Sequence, residues 1–180
     1  TDSLSNGECI FEPFISEISP EGITDIRVVL NYNDDKTIFS NIRIKTSVVK
    51  EKFYYGGDFP RTTYGSPGDT PIGKVLKKYE SISVNRVRRE IQFDRFGLYE
   101  SVNDPKNRWW SMELEFSPEL DEFFKLSNNK QKVEIMKVHY DNYIKSEKKK
   151  RNQVIIDDDI DEIEEKLWIE IVSTIRKLIA

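Results

Sequence analysis

The chain has 180 residues, with 37% hydrophobic, 12% aromatic and 33% charged residues and a formal net charge of −4. That is long enough for one domain with a real core plus an accessory element, and too short for two ordinary domains. The mild negative charge argues against a broad basic face for nucleic acid. The single cysteine, Cys9, excludes an intrachain disulfide and a multi-thiol metal site, which fits a reducing, cytoplasmic setting. No apolar run approaches a membrane span, and the polar start from Thr1 to Glu8 carries no signal-peptide pattern. Because the chain begins on Thr1, it reads as a piece of a longer polypeptide.

In chain order, Ile10 to Ile15 is a short apolar segment broken by Pro13, an edge strand or an arm. Residues 25 to 32 place Ile26, Val28 and Leu30 on one face, Asn33-Asp34-Asp35 supplies a turn, and residues 38 to 52 alternate through Ile42, Ile44, Thr46 and Val48. Together they predict an antiparallel hairpin. Residues 56 to 73, rich in Gly and Pro, predict loop. Within it, Gly68-Asp69-Thr70-Pro71-Ile72-Gly73-Lys74 has the spacing of a phosphate-cradling P-loop. Its chemistry does not follow: Val75 supplies no hydroxyl for Mg²⁺, Pro71 removes an amide donor, and no apolar strand leads in.

Ser81 to Val84 and Val87 to Phe93 predict two strands turning at Asn85-Arg86, with Arg86, Arg88, Arg89 and Arg95 on a solvated face. After a polar loop, residues 109 to 116 alternate, with Trp110, Met112, Leu114 and Phe116 on one face and Trp109, Ser111, Glu113 and Glu115 on the other; Trp109 is expected to cover a neighbouring loop. Ser117-Pro118-Glu119 is a helix start, with a capping hydroxyl, Pro at the first position and an early acid, for a helix ending near Lys125. Ser127-Asn128-Asn129-Lys130-Gln131 then reads as a tight loop that presents Lys130 at its tip.

From Val133 a helix carries Met136, Tyr140, Tyr143 and Ile144 on one side and dissolves into the basic run from Lys145 to Arg151, a solvated helix end. His139, the single histidine, has no Cys or His partner in reach and is read as a helix-face residue. Asp157-Asp158-Asp159 caps a last helix whose Ile160, Ile163, Leu167, Ile171, Ile175 and Leu178 recur at three- and four-residue steps. That stripe demands burial against the sheet, the preceding helix or a partner chain.

Three local patterns carry a resemblance. They are Gly68 to Lys74 leading into Ile82-Ser83-Val84-Asn85-Arg86-Val87-Arg88-Arg89-Glu90, then Arg108-Trp109-Trp110, then Leu120-Asp121-Glu122-Phe123-Phe124 ending at Asn128-Asn129-Lys130-Gln131. Together they resemble the transducer domain that follows the nucleotide-binding domain in GHKL ATPases, the superfamily of gyrase, heat-shock chaperones, histidine kinases and MutL. The likeness is to MORC-type and bacterial MORC-like proteins in particular and covers residues 25 to 135.

The resemblance implies an α+β, ribosomal-protein-like fold, a mostly antiparallel sheet covered by helices with a C-terminal helical extension. It divides the chain into an arm or edge segment at 1–24, the transducer at 25–135 and C-terminal helices at 136–180. It implies that Lys130, flanked by Asn129 and Gln131, reaches the γ-phosphate of ATP. The ATP and its Mg²⁺ would be held by a preceding N-terminal domain of the same polypeptide, within a homodimer. The loop opens with Ser127-Asn128 where MORC proteins have Thr-His, so only the lysine and its two flanks carry over. The full-length protein is then expected to hydrolyse ATP, and this piece alone to be inactive. The alternative is a stand-alone nucleic-acid-binding module using the arginine-bearing hairpin and the basic tail, or an oligomerisation module using the last helix.

Overall fold

A computed structural model describes residues 9–33, 36–54, 65–96, 109–126 and 160–179. The fold is α+β: one six-stranded, mostly antiparallel sheet with a long C-terminal helix on one face. The strands are β1 (Phe11–Pro13), β2 (Ile23–Asn33), β3 (Lys36–Val49), β4 (Ile82–Arg86), β5 (Arg89–Asp94) and β6 (Trp110–Phe116). Two short helices, α1 (Glu51–Tyr54) and α2 (Pro71–Leu76), lie between β3 and β4, and α3 runs from Ile160 to Ile179.

β3 is the strand that the others assemble on. Its 14 residues pair with β6 on one side, Arg43 to Val48 against Trp110 to Glu115, and with both β2 and β1 on the other. Those two share the edge end to end and meet at Thr46, whose carbonyl accepts the Phe14 amide (2.9 Å) and whose amide donates to the Gly22 carbonyl (2.9 Å). Gly22 has φ +72°, and a Cβ there would lie 2.6 Å from the Cβ of Pro13, so the junction needs a residue without a side chain. The sheet continues from β6 to β4 to β5, in which β6 and β4 are parallel and every other pairing is antiparallel.

Alternation decides what is buried, because successive strand side chains point to opposite faces. Ile42, Ile44 and Thr46 of β3, Met112, Leu114 and Phe116 of β6, Ile82 and Val84 of β4, and Ile26 and Val28 of β2 are all buried. Over this face lie Leu120, Phe123 and Phe124 and the α3 side chains Leu167, Trp168, Ile171, Val172, Ile175 and Leu178. The apolar stripe of α3 therefore packs on its own sheet. Trp168, which the three- and four-residue pattern omits, lies at its centre and is 1% exposed. Each such side chain contributes about 1.5–3 kcal/mol by leaving water. Arg176 and Lys177 in the last turn complement the helix dipole.

Val49 is out of phase with the Ile42, Ile44, Thr46 row. It joins Phe53 of α1 and Ile72 and Leu76 of α2 in a second small cluster, with Ile10, Phe11 and Trp109 against it. Trp109 is thus half-buried against the small cluster that α1 and α2 contribute to.

Four local expectations need correcting. β3 stops at Val49, and Glu51 and Lys52, expected as the end of the strand, belong instead to α1. Residues 71 to 76, expected partly as loop, form α2, because Thr70 caps it by accepting the Gly73 amide (3.0 Å) and Pro71 takes the first position. The β4–β5 turn falls on Val87-Arg88, not Asn85-Arg86. The segment after Ser117 opens with a 3-10 turn over Pro118–Leu120, and the Ser117 hydroxyl pairs with that of Ser40 (2.7 Å) without capping the backbone. The expected helix from Val133, His139, the basic run 145–151 and the Asp157–Asp159 cap lie outside the described residues.

Candidate functional site

Asn129, Lys130 and Gln131 also lie outside the described residues. What the structure places is the base from which they spring, residues 117 to 126. This segment contacts β6, β4 and α3 through its side chains and is held in two ways.

The first is aromatic. Phe124 stacks on Phe116 (centroids 3.8 Å apart, 14° between planes), Phe123 stacks on Trp168 (4.8 Å, 13°), and Phe124 meets both Phe123 and Trp168 edge-on at 5.2 Å. Such pairs add about 0.5–1.5 kcal/mol each beyond their burial. A strand, the lead-in segment and α3 are thereby locked into one block.

The second is ionic. Arg86, at the end of β4, donates from Nε to Asp121 Oδ1 at 2.5 Å and from Nη2 to Oδ2 at 2.7 Å, a bidentate fork. Arg86 continues the alternate row Ile82, Val84, so it leaves the strand on the side that the lead-in segment covers. Its pKa is held above the usual arginine value, chiefly by the hydrogen bonds to Asp121. Glu119 stands near the same guanidinium, and its carboxyl is lowered first by a hydrogen bond from Ser117.

The arginines are therefore not one solvated face. Arg86 is paired, and Arg95 donates to the Glu80 carbonyl (3.1 Å) and approaches the buried Glu80 carboxylate (3.6 Å). Arg88 and Arg89 are exposed. Residues 86 and 121 lie 35 positions apart, and no periodicity links them; the pairing is a product of the tertiary fold.

The hairpin tip beside this pair is unusual. Val87 and Arg88 have φ of 51° and 63°, the left-handed values a two-residue type I′ turn requires, with neither Gly nor Asn present. A β-branched residue there is a backbone outlier. Val87 is also 59% exposed.

On the opposite face the sheet carries cross-strand charge pairs. Arg43 forks onto Asp25 (2.8 and 3.2 Å), and Lys45 reaches Glu113 (3.3 Å) and Glu115 (3.6 Å). Two shallow hollows open there. One of about 310 Å³ lies between Asp25, Arg43, Val87 and Pro118, and one of about 430 Å³ between Lys45, Asn85, Arg88 and Glu113. Their charges are largely matched within the protein.

Among the described residues no group of His, Cys, Asp and Glu has a metal-binding arrangement, and no helix is long and apolar enough to cross a membrane. The P-loop-like segment has its amides committed to the start of α2: Gly73 N–H donates to Thr70 Oγ1 and Lys74 N–H to the Thr70 carbonyl (2.9 Å). It cannot cradle a phosphate with them, so these residues do not fit a nucleotide site. Cys9 is exposed and donates from Sγ to the Phe11 carbonyl. In comparison with known proteins, no family model, curated protein or solved structure matches the chain.

Proposed function

We propose that this chain is the transducer half of a GHKL-type ATPase, in which Lys130 couples the γ-phosphate of ATP to the position of the sheet. The observation that carries the reading is the anchoring of the segment that ends in Leu126. Phe123 and Phe124 are fully buried, Asp121 is forked by Arg86, and Lys130 follows Leu126 by four residues. A chain of four residues spans at most about 14 Å. The lysine therefore starts from a fixed platform with a short tether, while a flexible four-carbon side chain brings a compact positive charge to its tip.

A cation presented in this way neutralises charge on a transferred phosphoryl group and registers whether that group is present. ATP and Mg²⁺ would be bound by a preceding N-terminal domain of the same polypeptide, which supplies the phosphate chemistry. The chain's own contribution is to position Lys130, with Asn129 and Gln131 beside it, and to pass its displacement through Phe123 and Phe124 to Trp168 and α3. A cytoplasmic homodimer that closes on ATP is the setting this reading implies.

The test is ATP turnover by the full-length protein carrying Lys130→Ala. Turnover is expected to fall on the order of a hundredfold, the scale of removing one preorganised charge-stabilising donor. Unchanged turnover overturns the assignment.

A further inference from the structure

We propose that the outer edge of β2 is a docking surface for a second copy of this chain, with the two β2 strands pairing antiparallel about a two-fold axis at Ile26. The pairing stands independently of the ATPase reading. It joins the two sheets into one continuous sheet, with each α3 remaining on the core of its own copy.

β2 borders the sheet: among the described residues, β3 is the one strand it pairs with. The phase of its backbone follows from where it begins. The Thr46 amide donates to the Gly22 carbonyl, and Ile23 stands opposite Lys45, so the even-numbered residues of β2 turn their N–H and C=O groups toward β3. Ile23, Asp25, Arg27 and Val29 therefore turn theirs outward. Such an edge is a template for another strand, and proteins commonly blunt it with proline, lysine or a bulge. From Ile23 to Val29 the strand has none of these, and its register shift comes only between Asn31 and Asn33. Read in reverse, this stretch complements itself. With Ile26 on the axis, Asp25 of each copy faces Arg27 of the other, and Ile23 faces Val29. All four side chains are exposed and lie on the sheet face away from the core. Two pairs of opposite charge are thus flanked by two apolar pairs, and both kinds stabilise a sheet. The outward backbone groups meet in the same register, since these residues are all odd-numbered. Moving the axis to Asp25 or to Arg27 sets that charge directly against itself, which is unfavourable.

Exposed apolar side chains mark the same edge. Ile15 and Ile18 are exposed on the connection that enters β2 at Gly22, and Thr24 holds that connection by donating from Oγ1 to the Ile18 carbonyl (2.9 Å). Val29 and Phe39, also exposed, face each other across β2 and β3 farther along the strand. A two-fold axis at Ile26 brings the start of one β2 to the far end of the other, so the Ile15–Ile18 connection approaches the Val29–Phe39 pair of the second copy. Contiguous exposed apolar groups rimmed by charge mark an interaction surface. The two charges are already oriented on this face: Arg43 forks Asp25, and the Arg27 guanidinium lies 5.9 Å from the Phe39 ring centroid. Arg27 of the second copy extends the Arg43–Asp25 pair into a row of three alternating charges.

The experiment is sedimentation equilibrium of the chain over a range of concentrations, with circular dichroism to verify folding, which substitutions at these exposed sites are expected to leave intact. The wild type is expected to dimerise reversibly. Arg27→Asp and Asp25→Lys each set like charges opposite one another twice across the axis, and each is expected to weaken the dimer about tenfold or more. Mixed in equal amounts, the two variants are expected to form a heterodimer close to wild-type affinity, because every charge again faces its opposite. Arg89→Asp, on the edge strand β5 at the other side of the sheet, is expected to leave dimerisation unchanged. A wild-type chain that stays monomeric, a mixture that associates no better than either variant alone, or a dimer indifferent to both charge variants overturns the proposal. Equal weakening by Arg89→Asp overturns it too, since the contact then does not depend on β2. None of these outcomes bears on Lys130, whose role is tested by ATP turnover alone.

Discussion

Replacing Trp168 by Ala isolates the contact that joins α3 to the sheet. The indole is 1% exposed, stacks on Phe123 at 4.8 Å and meets Phe124 edge-on at 5.2 Å. Truncation of a buried aromatic to Ala costs about 3–5 kcal/mol, from lost transfer free energy plus the cavity left behind. Both ring contacts disappear as well, so the upper end, about 5 kcal/mol, is expected here. For a domain of this size each kcal/mol moves the melting temperature by about 2–4 °C, giving a drop of roughly 10–20 °C. Since a domain's total stability is about 5–15 kcal/mol, the variant is expected to be marginal at physiological temperature. Urea titration followed by circular dichroism measures the loss directly, and a constant slope shows that the same surface is exposed on unfolding. Phe39→Ala is the control: that ring is 64% exposed, with the Arg27 guanidinium 5.9 Å from its centroid, and its loss is expected to cost under about 1 kcal/mol. A Trp168→Ala variant no less stable than the Phe39→Ala control refutes docking of α3 on the sheet.

The Val87-Arg88 turn gives a stabilising prediction. Val87→Asn with Arg88→Gly places the residues a type I′ turn favours at the two left-handed positions and is expected to gain about 1–2 kcal/mol by denaturant titration; a loss of stability refutes the turn geometry. Glu119 gives an acid-range prediction. Its folded carboxyl sits below the ordinary 4.5, held there first by Ser117, so it contributes stability above pH 4.5 that is lost as pH falls through the lower folded value. Glu119→Gln is therefore expected to be less stable than the wild type near neutrality, with the gap closing below pH 4.5; a gap that is constant with pH refutes the hydrogen-bonded carboxylate.

Much of the sheet is legible in the sequence because strand burial has a period of two. Ile42-Ile44-Thr46 and Trp110-Met112-Leu114-Phe116 announce their buried faces residue by residue, whereas the expectation of an α+β class rests on the family resemblance. The turn at Val87-Arg88 is not legible, because turn chemistry predicts Asn or Gly at left-handed positions and the chain places a valine and an arginine there. The start of α2 is visible only in retrospect in Thr70-Pro71, whose cap and first-position signals are masked by the surrounding Gly and Pro.

For the candidate site the division is sharper. Lys130 is singled out by the resemblance of its surroundings to a switch loop and not by local chemistry alone, and it lies outside the described residues. Three other matters depend on long-range contacts: which surface α3 covers, that Trp168 sits between the lead-in segment and the core, and that Arg86 forks Asp121 across 35 residues. A sequence carries the period of a helix or strand, because that is set by backbone geometry between neighbours. It does not carry which two periodic faces meet; that is decided by the assembled sheet, where the pairing that buries the most apolar surface and leaves the fewest charges unmatched prevails.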